Sequence, residues 1–139
     1  MSDRGVYVLE LNDPGHFYIG QTECISRRIQ QHIDGEGSHF CLAHGGVKCR
    51  QPTKTKPMRK LCLWEQMETI YWMLKKGFNK VRGWEFTSVT PLSPQDAFSL
   101  RKIIVGVHDL CRKCGRKGHM ANQCNQEPTN WMRRLCELC

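Results

Sequence analysis

The sequence predicts an α+β protein: a small sheet flanked by helices, followed by a tail ordered by metal. Three observations predict it. Apolar runs on either side of a Pro-Gly turn read as a β-hairpin, Val6–Leu11 and Phe17–Gly20 around Asn12-Asp13-Pro14-Gly15-His16. Two later stretches repeat their apolar residues every three or four positions, as buried helix faces do. Beyond residue 108 apolar residues thin out and cysteines gather, so metal rather than a core must order the tail.

Taken in order, Cys24 to Ile33 follows the hairpin as a helix, with Ile25, Ile29 and Ile33 on one stripe. Arg28 and His32, four apart, share another face. Asp34-Gly35-Glu36-Gly37-Ser38 is a glycine-rich break. His39 to Pro57 reads as irregular and contains Cys41, His44 and Cys49. Met58–Leu63 reads as a third strand. A helix then spans Trp64 to Lys76, with Trp64, Met67, Ile70, Tyr71 and Leu74 as its buried side and Gly77 as its stop. Trp84-Glu85-Phe86 reads as a short edge strand after a turn. Ser93-Pro94 is an N-cap with proline at the first helical position, opening a helix to Ile104 or Val107.

The hairpin and first helix together suggest phosphate chemistry: a tyrosine on each paired strand, facing a helix that carries Arg and His. Gly5-Val6-Tyr7, ten intervening residues, Tyr18-Ile19-Gly20, then Arg28 and His32 resemble the GIY-YIG nuclease family. Val6 stands where isoleucine is usual. The segment Glu65-x-x-x-Thr69 … Asn79-Lys80-Val81-Arg82-Gly83 resembles one subgroup of that family. Departures are Gln66 for an acidic residue, Trp84 for a second glycine, and an extra stretch between Ser38 and Lys56.

The resemblance implies a small antiparallel three-stranded sheet with helices around it. It implies hydrolysis of phosphodiester bonds with Mg²⁺ or Mn²⁺. Tyr7 would act near the nucleophilic water and Tyr18 would orient water or phosphate. Arg28 would bind the scissile phosphate, and His32 would assist proton transfer or phosphate binding. Asn79 would support the site. Helical geometry leaves Glu65 and Glu68 both open as the metal carboxylate; the subgroup alignment selects Glu65. Arg suits phosphate because it stays charged and forks onto two oxygens, and a hard cation wants carboxylate oxygen.

Cys111-x2-Cys114-x4-His119-x4-Cys124 is the full spacing of a CCHC zinc knuckle. Three thiolates and one imidazole close a tetrahedral structural site for Zn²⁺. Arg112, Lys113, Arg116 and Lys117 would clamp nucleic-acid phosphates. Arg112 stands where an aromatic platform is usual, leaving Met120 as the apolar surface. Cys136 and Cys139 end the chain as a further Cys-x-x-Cys. Two thiols cannot close a site, so a second zinc shared by Cys136, Cys139, Cys41 and either His44 or Cys49 is expected.

The expected organisation is a nuclease domain at 1–90, a linker helix at 91–107 and the knuckle with a Cys-rich tail at 108–139. Net charge is +8, which favours a polyanionic partner. Residues 101–139 hold eight Lys and Arg against three acidic residues, a net +5. DNA is favoured over RNA. A homodimer, the usual device for cutting both strands, stays open, with no heptad to mark an interface. No apolar run is long enough to cross a membrane. Nine cysteines without a secretory signal point to an intracellular, reducing compartment, nuclear or cytoplasmic. A nuclease of this type joined to a knuckle also looks like proteins of large DNA viruses and some eukaryotes.

Overall fold

A computed structural model describes residues 5–48, 54–57 and 61–136. The chain divides into two compact units, Met1–Pro91 and Leu92–Cys139.

The first unit is built on β1 (Gly5–Glu10) and β2 (Phe17–Thr22), paired antiparallel with Tyr7 opposite Gly20 and Leu9 opposite Tyr18. The order in the sheet is β3-β1-β2-β4. β3 (Lys54–Pro57) pairs antiparallel with β1, completing the three-stranded antiparallel core. β4 (Val81–Gly83) adds a short parallel strand beside β2. β1 is therefore central and covered on both faces. Val6, Tyr7, Val8 and Leu9 are all buried, which is why this strand reads as an unbroken apolar run. Each such side chain contributes about 1.5–3 kcal/mol when fully buried.

Helix α1 (Ile25–Ile33) lays Ile29 against Tyr7 and Leu9, with Ile25 and Ile33 at the margin. Helix α3 (Leu61–Lys76) meets the other side of β2, where Trp72 stacks on Phe17 at 4.8 Å. The short α2 (His39–Ala43) starts at Ser38, whose hydroxyl accepts from Phe40 N–H. Phe40 and Cys41 pack on Leu11 and Tyr18.

Four readings of the sequence need correction. The third strand lies at 54–57, not 58–63: Leu61 to Leu63 open α3, and residues 58–60 lie outside the described residues. The stretch 39–57, read as irregular, holds α2 and β3. The buried side of α3 is rotated: Glu65, Glu68, Thr69, Ile70, Trp72 and Met73 are buried, while Met67 and Tyr71 are 42% and 49% exposed. Polar residues sit inside because this face meets Gly83, Trp84 and the indole of Trp72. The short edge strand is β4 at Val81–Gly83; Phe86 only bridges back to Gly83.

In the second unit, α4 (Pro94–His108) is capped by Ser93 Oγ, which accepts from Asp96 N–H at 3.1 Å. Such a cap contributes about 1 kcal/mol. It packs on α5 (Asn130–Cys136). Between them the chain makes tight turns with Gly115 and Gly118 at positive φ, where a side chain would be strained.

Candidate active site and zinc knuckle

The sheet register sets the site. Tyr7 and Tyr18 fall on the face of the hairpin that α1 covers. Tyr7 Oη lies 2.9 Å from His32 Nε2. The rings of Tyr7 and Tyr18 stand 5.7 and 5.3 Å from the His32 ring. On the far side of that ring, the backbone N–H of Ser38 donates to Nδ1 at 3.4 Å. A backbone N–H can only donate, so Nδ1 accepts and Nε2 carries the proton. His32 therefore donates to the Tyr7 oxygen.

Arg28 is half-buried, braced by Gln31 Oε1 at 2.9 Å. Burial, then Tyr18, push the Tyr7 phenol above the ordinary tyrosine value, against the pull of the Arg28 guanidinium. Burial, with the adjacent Arg28 charge, pulls His32 down to about 4. The pair is thus a neutral phenol and a neutral imidazole near pH 7. Tyr7 and His32 are 1% and 3% exposed, closed over by the segment that runs into α2.

Glu65 enters from α3. Its Oε1 accepts from Trp84 N–H at 2.8 Å. Burial raises its carboxyl above the ordinary value, and that hydrogen bond partly offsets the rise. Glu65 is close enough to add, after burial and Cys41, to the upward shift of Tyr18. Glu68, the other candidate, takes the Trp72 indole N–H at 3.2 Å. Asn79 belongs to a different arrangement. Its Oδ1 accepts from Arg82 Nη2 at 3.1 Å. Arg82, 1% exposed, also donates to the carbonyls of Phe78, Val81, Ser88 and Thr90 at 2.8–3.1 Å. All five guanidinium N–H donors are thereby matched. Tyr7, Tyr18, Arg28 and His32 gather on the α1 side of the sheet; Glu65 comes from α3 with one oxygen held by Trp84 N–H, and Asn79 braces the turn before β4.

The ligand atoms of Cys111, Cys114, His119 and Cys124 lie within 4.8 Å of one another. Cys114 Sγ is 3.4 Å from His119 Nε2. Burial would raise the Cys111 thiol, but N–H donation from Cys114 and Lys113 and the neighbouring thiols outweigh it and hold it at about 6. A thiol that ionises this readily suits Zn²⁺. Thr129 N–H donates to Cys114 O at 2.8 Å, and a Cβ on Gly115 would run into Trp131 and Thr129. An open cleft of about 690 Å³ includes Arg112, His119 and Met120 in its lining.

The GIY-YIG catalytic domain family matches residues 4–79, more than half of the chain. This chain belongs to the GIY-YIG family. The zinc knuckle family matches residues 109–126. The UPF0213 protein BH0048 of Halalkalibacterium halodurans is 29% identical over 93 residues, covering 63% of this chain and 94% of that protein. No solved structure matches the chain. The chain thus joins a nuclease-family domain to a nucleic-acid-binding knuckle. No helix among the described residues is long and apolar enough to cross a membrane.

The GIY-YIG motif has a physical reading in this fold. Gly20 is the cross-strand partner of Tyr7, and a Cβ there would overlap the Tyr7 hydroxyl. The motif glycine is a seat for the phenol. Gly37 does the same for His32, since a Cβ would meet the imidazole. Spacing alone gave no sign of Gly37. Trp84, standing where the GIY-YIG subgroup has a second glycine, adopts φ 53°, a left-handed conformation that costs about 1–2 kcal/mol for a non-glycine residue. The departure from pattern could have flagged it.

Of the thiols expected to share a second zinc, Cys41 is buried against Leu11 and Phe40, and burial pushes it up to about 12. His44 instead meets Asp13, with its Nδ1 2.8 Å from Oδ2. Cys49 and Cys139 lie outside the described residues, as does the side chain of Cys136. The sequence also gave no weight to Phe98, which is 52% exposed with Lys102 Nζ 5.1 Å from its centroid. Phe98, Arg101, Lys102, Val105, Arg112 and Lys113 line an open cleft of about 340 Å³.

Proposed function

We propose that this protein is a metal-dependent endonuclease that hydrolyses phosphodiester bonds in DNA, its knuckle helping to hold the strand. The observation carrying the reading is the placement of Arg28 beside Tyr7, Tyr18 and His32, with Glu65 close to Tyr18. Arg28 binds the scissile phosphate through its fork of donors. Tyr18, half-buried like Arg28, orients the attacking water. Tyr7 accepts from His32 and lies next to the Arg28 guanidinium, and these contacts fix its oxygen beside the attacking water. Glu65 has one oxygen tied to Trp84 and supplies a hard carboxylate that fits Mg²⁺ or Mn²⁺. The bound cation would acidify water and neutralise phosphate charge. Attack by water needs no 2′-hydroxyl, so this chemistry can act on DNA.

Residues 1–90 make the nuclease on this reading, 91–107 a helix leading out of it, and 108–139 the knuckle and tail. Arg112, Lys113, Arg116 and Lys117 contact phosphates, and the exposed Phe98 ring offers the stacking surface missing after Cys111. A second reading, a binding module without catalysis, is favoured by the enclosure of Tyr7 and His32. A cleavage panel decides between them: duplex, branched and single-stranded DNA and RNA, with Mg²⁺, Mn²⁺ or chelator. Cutting that needs metal and disappears in Arg28→Ala and Glu65→Ala, both folded by circular dichroism, supports the nuclease. Binding without any cutting overturns it.

A further inference from the structure

Asp13, His16 and His44 form a second polar cluster, made of residues that neither the tyrosine site nor the knuckle uses. Asp13 and His16 sit in the loop between β1 and β2, and His44 follows α2. Both imidazoles bring Nδ1 toward one carboxylate oxygen: Asp13 Oδ2 is 2.8 Å from His44 Nδ1 and 3.7 Å from His16 Nδ1. The two rings stack at 4.0 Å and 20°. A hydrogen bond to Asp13 needs one histidine. A second stacked on the first, aimed at the same oxygen, is what a shared ligand would ask for.

The scaffold is pinned from both sides. Asn12 N–H donates to Gly46 O and Asp13 N–H to His44 O, each at 2.9 Å. Asn12 Nδ2 donates to Gly45 O at 2.7 Å. The Phe40 ring backs both imidazoles, at 6.3 Å from His16 and 4.4 Å from His44. The three ligand atoms lie within 4.8 Å of one another.

We infer that Asp13, His16 and His44 bind a borderline divalent cation of the Zn²⁺ type, clipping the β1–β2 loop to the turn after α2. Tetrahedral bonds of about 2.0–2.1 Å put ligands roughly 3.3 Å apart. The two measured separations, 2.8 and 3.7 Å, straddle that value, so small side-chain adjustments close the site. Two imidazoles and a carboxylate suit zinc, cobalt or iron rather than Mg²⁺. On binding, the cation replaces the Nδ1 hydrogen that bridges His44 to Asp13 and the one that bridges His16 to Pro14 O at 3.0 Å, and each neutral imidazole keeps its single proton on Nε2. Three protein ligands leave a coordination position for water. The site is independent of phosphodiester cleavage.

Cobalt spectroscopy tests it. The full chain, with Zn²⁺ in its knuckle, is titrated with Co²⁺ in excess Mg²⁺, which fills hard-oxygen sites. Thiolate-bound Co²⁺ absorbs strongly in the near ultraviolet; a His₂Asp site gives visible d–d bands without that absorption. The expected result is one further equivalent with visible bands alone, lost in His44→Gln and again in His16→Gln. His16→Gln leaves the Asn12 and Asp13 backbone bonds untouched, so it decides the matter if His44→Gln does not fold. Absence of those bands in the wild type, or bands that survive His16→Gln, overturns the site.

Discussion

Tyr7 Oη and His32 Nε2 stand 2.9 Å apart, with His32 as donor because Ser38 N–H occupies its other nitrogen. His32 is thereby held neutral, its value pulled down to about 4 by burial and by Arg28. The unfolded chain takes up that proton near pH 6.5, before the folded one does. Stability from this group is full above pH 6.5 and is lost as pH falls from 6.5 toward 4. The loss reaches about 3 kcal/mol at most. Urea unfolding from pH 7.5 to 4.5 should show the decline, and His32→Gln should flatten it. An equal decline in both proteins would place the titration elsewhere.

Arg28 should matter to turnover far more than to folding. Arg28→Ala should lower the cleavage rate by about 10²–10³, the scale for losing one group that stabilises developing charge. Arg28→Lys should recover only part of it, since lysine lacks the planar fork. The unfolding midpoint should move little in either variant. Single-turnover cleavage at saturating enzyme separates this from weaker substrate binding.

Gly20→Ala should be as damaging to activity as a change to the tyrosine it supports. The added methyl would overlap the Tyr7 hydroxyl, and relieving it means moving the ring or prising β1 from β2. Overpacking of this kind costs about 1–3 kcal/mol. Thermal unfolding should register that loss, with cleavage falling in the same protein. Gly46→Ala is a control with nothing near its Cβ, though its φ of 82° carries a backbone penalty of its own.

Phe98→Ala should weaken single-stranded oligonucleotide binding, by about 1–3 kcal/mol if one base stacks there. Phe98→Tyr should retain most of the affinity. Fluorescence anisotropy at fixed salt measures both. Substitution of Lys113 or Lys117 should instead reduce the slope of log affinity against log salt.

The legible parts of the chain are those fixed by local chemistry. The hairpin followed from Pro14-Gly15 between apolar runs, and the Ser93 cap from a serine placed before proline. The knuckle followed from ligand spacing. Harder were the places where tertiary context outweighed pattern. Met58 to Leu63 carries residues that suit strand or helix equally, and Leu61 joined α3. The inner face of α3 is misread from hydrophobicity because Glu65, Glu68 and Thr69 point inward, each with a polar partner. No periodicity argument foresees buried glutamates. Arg82 is similar: a cation in a turn reads as solvated, yet it is buried among carbonyls.

That guanidinium spends every donor on acceptors strung between Phe78 and Thr90. The stretch therefore has a hub rather than a ladder, and cannot unravel one bond at a time. Amide exchange across it should rise and fall as a block, and transplanting the loop into another scaffold would require carrying its arginine along.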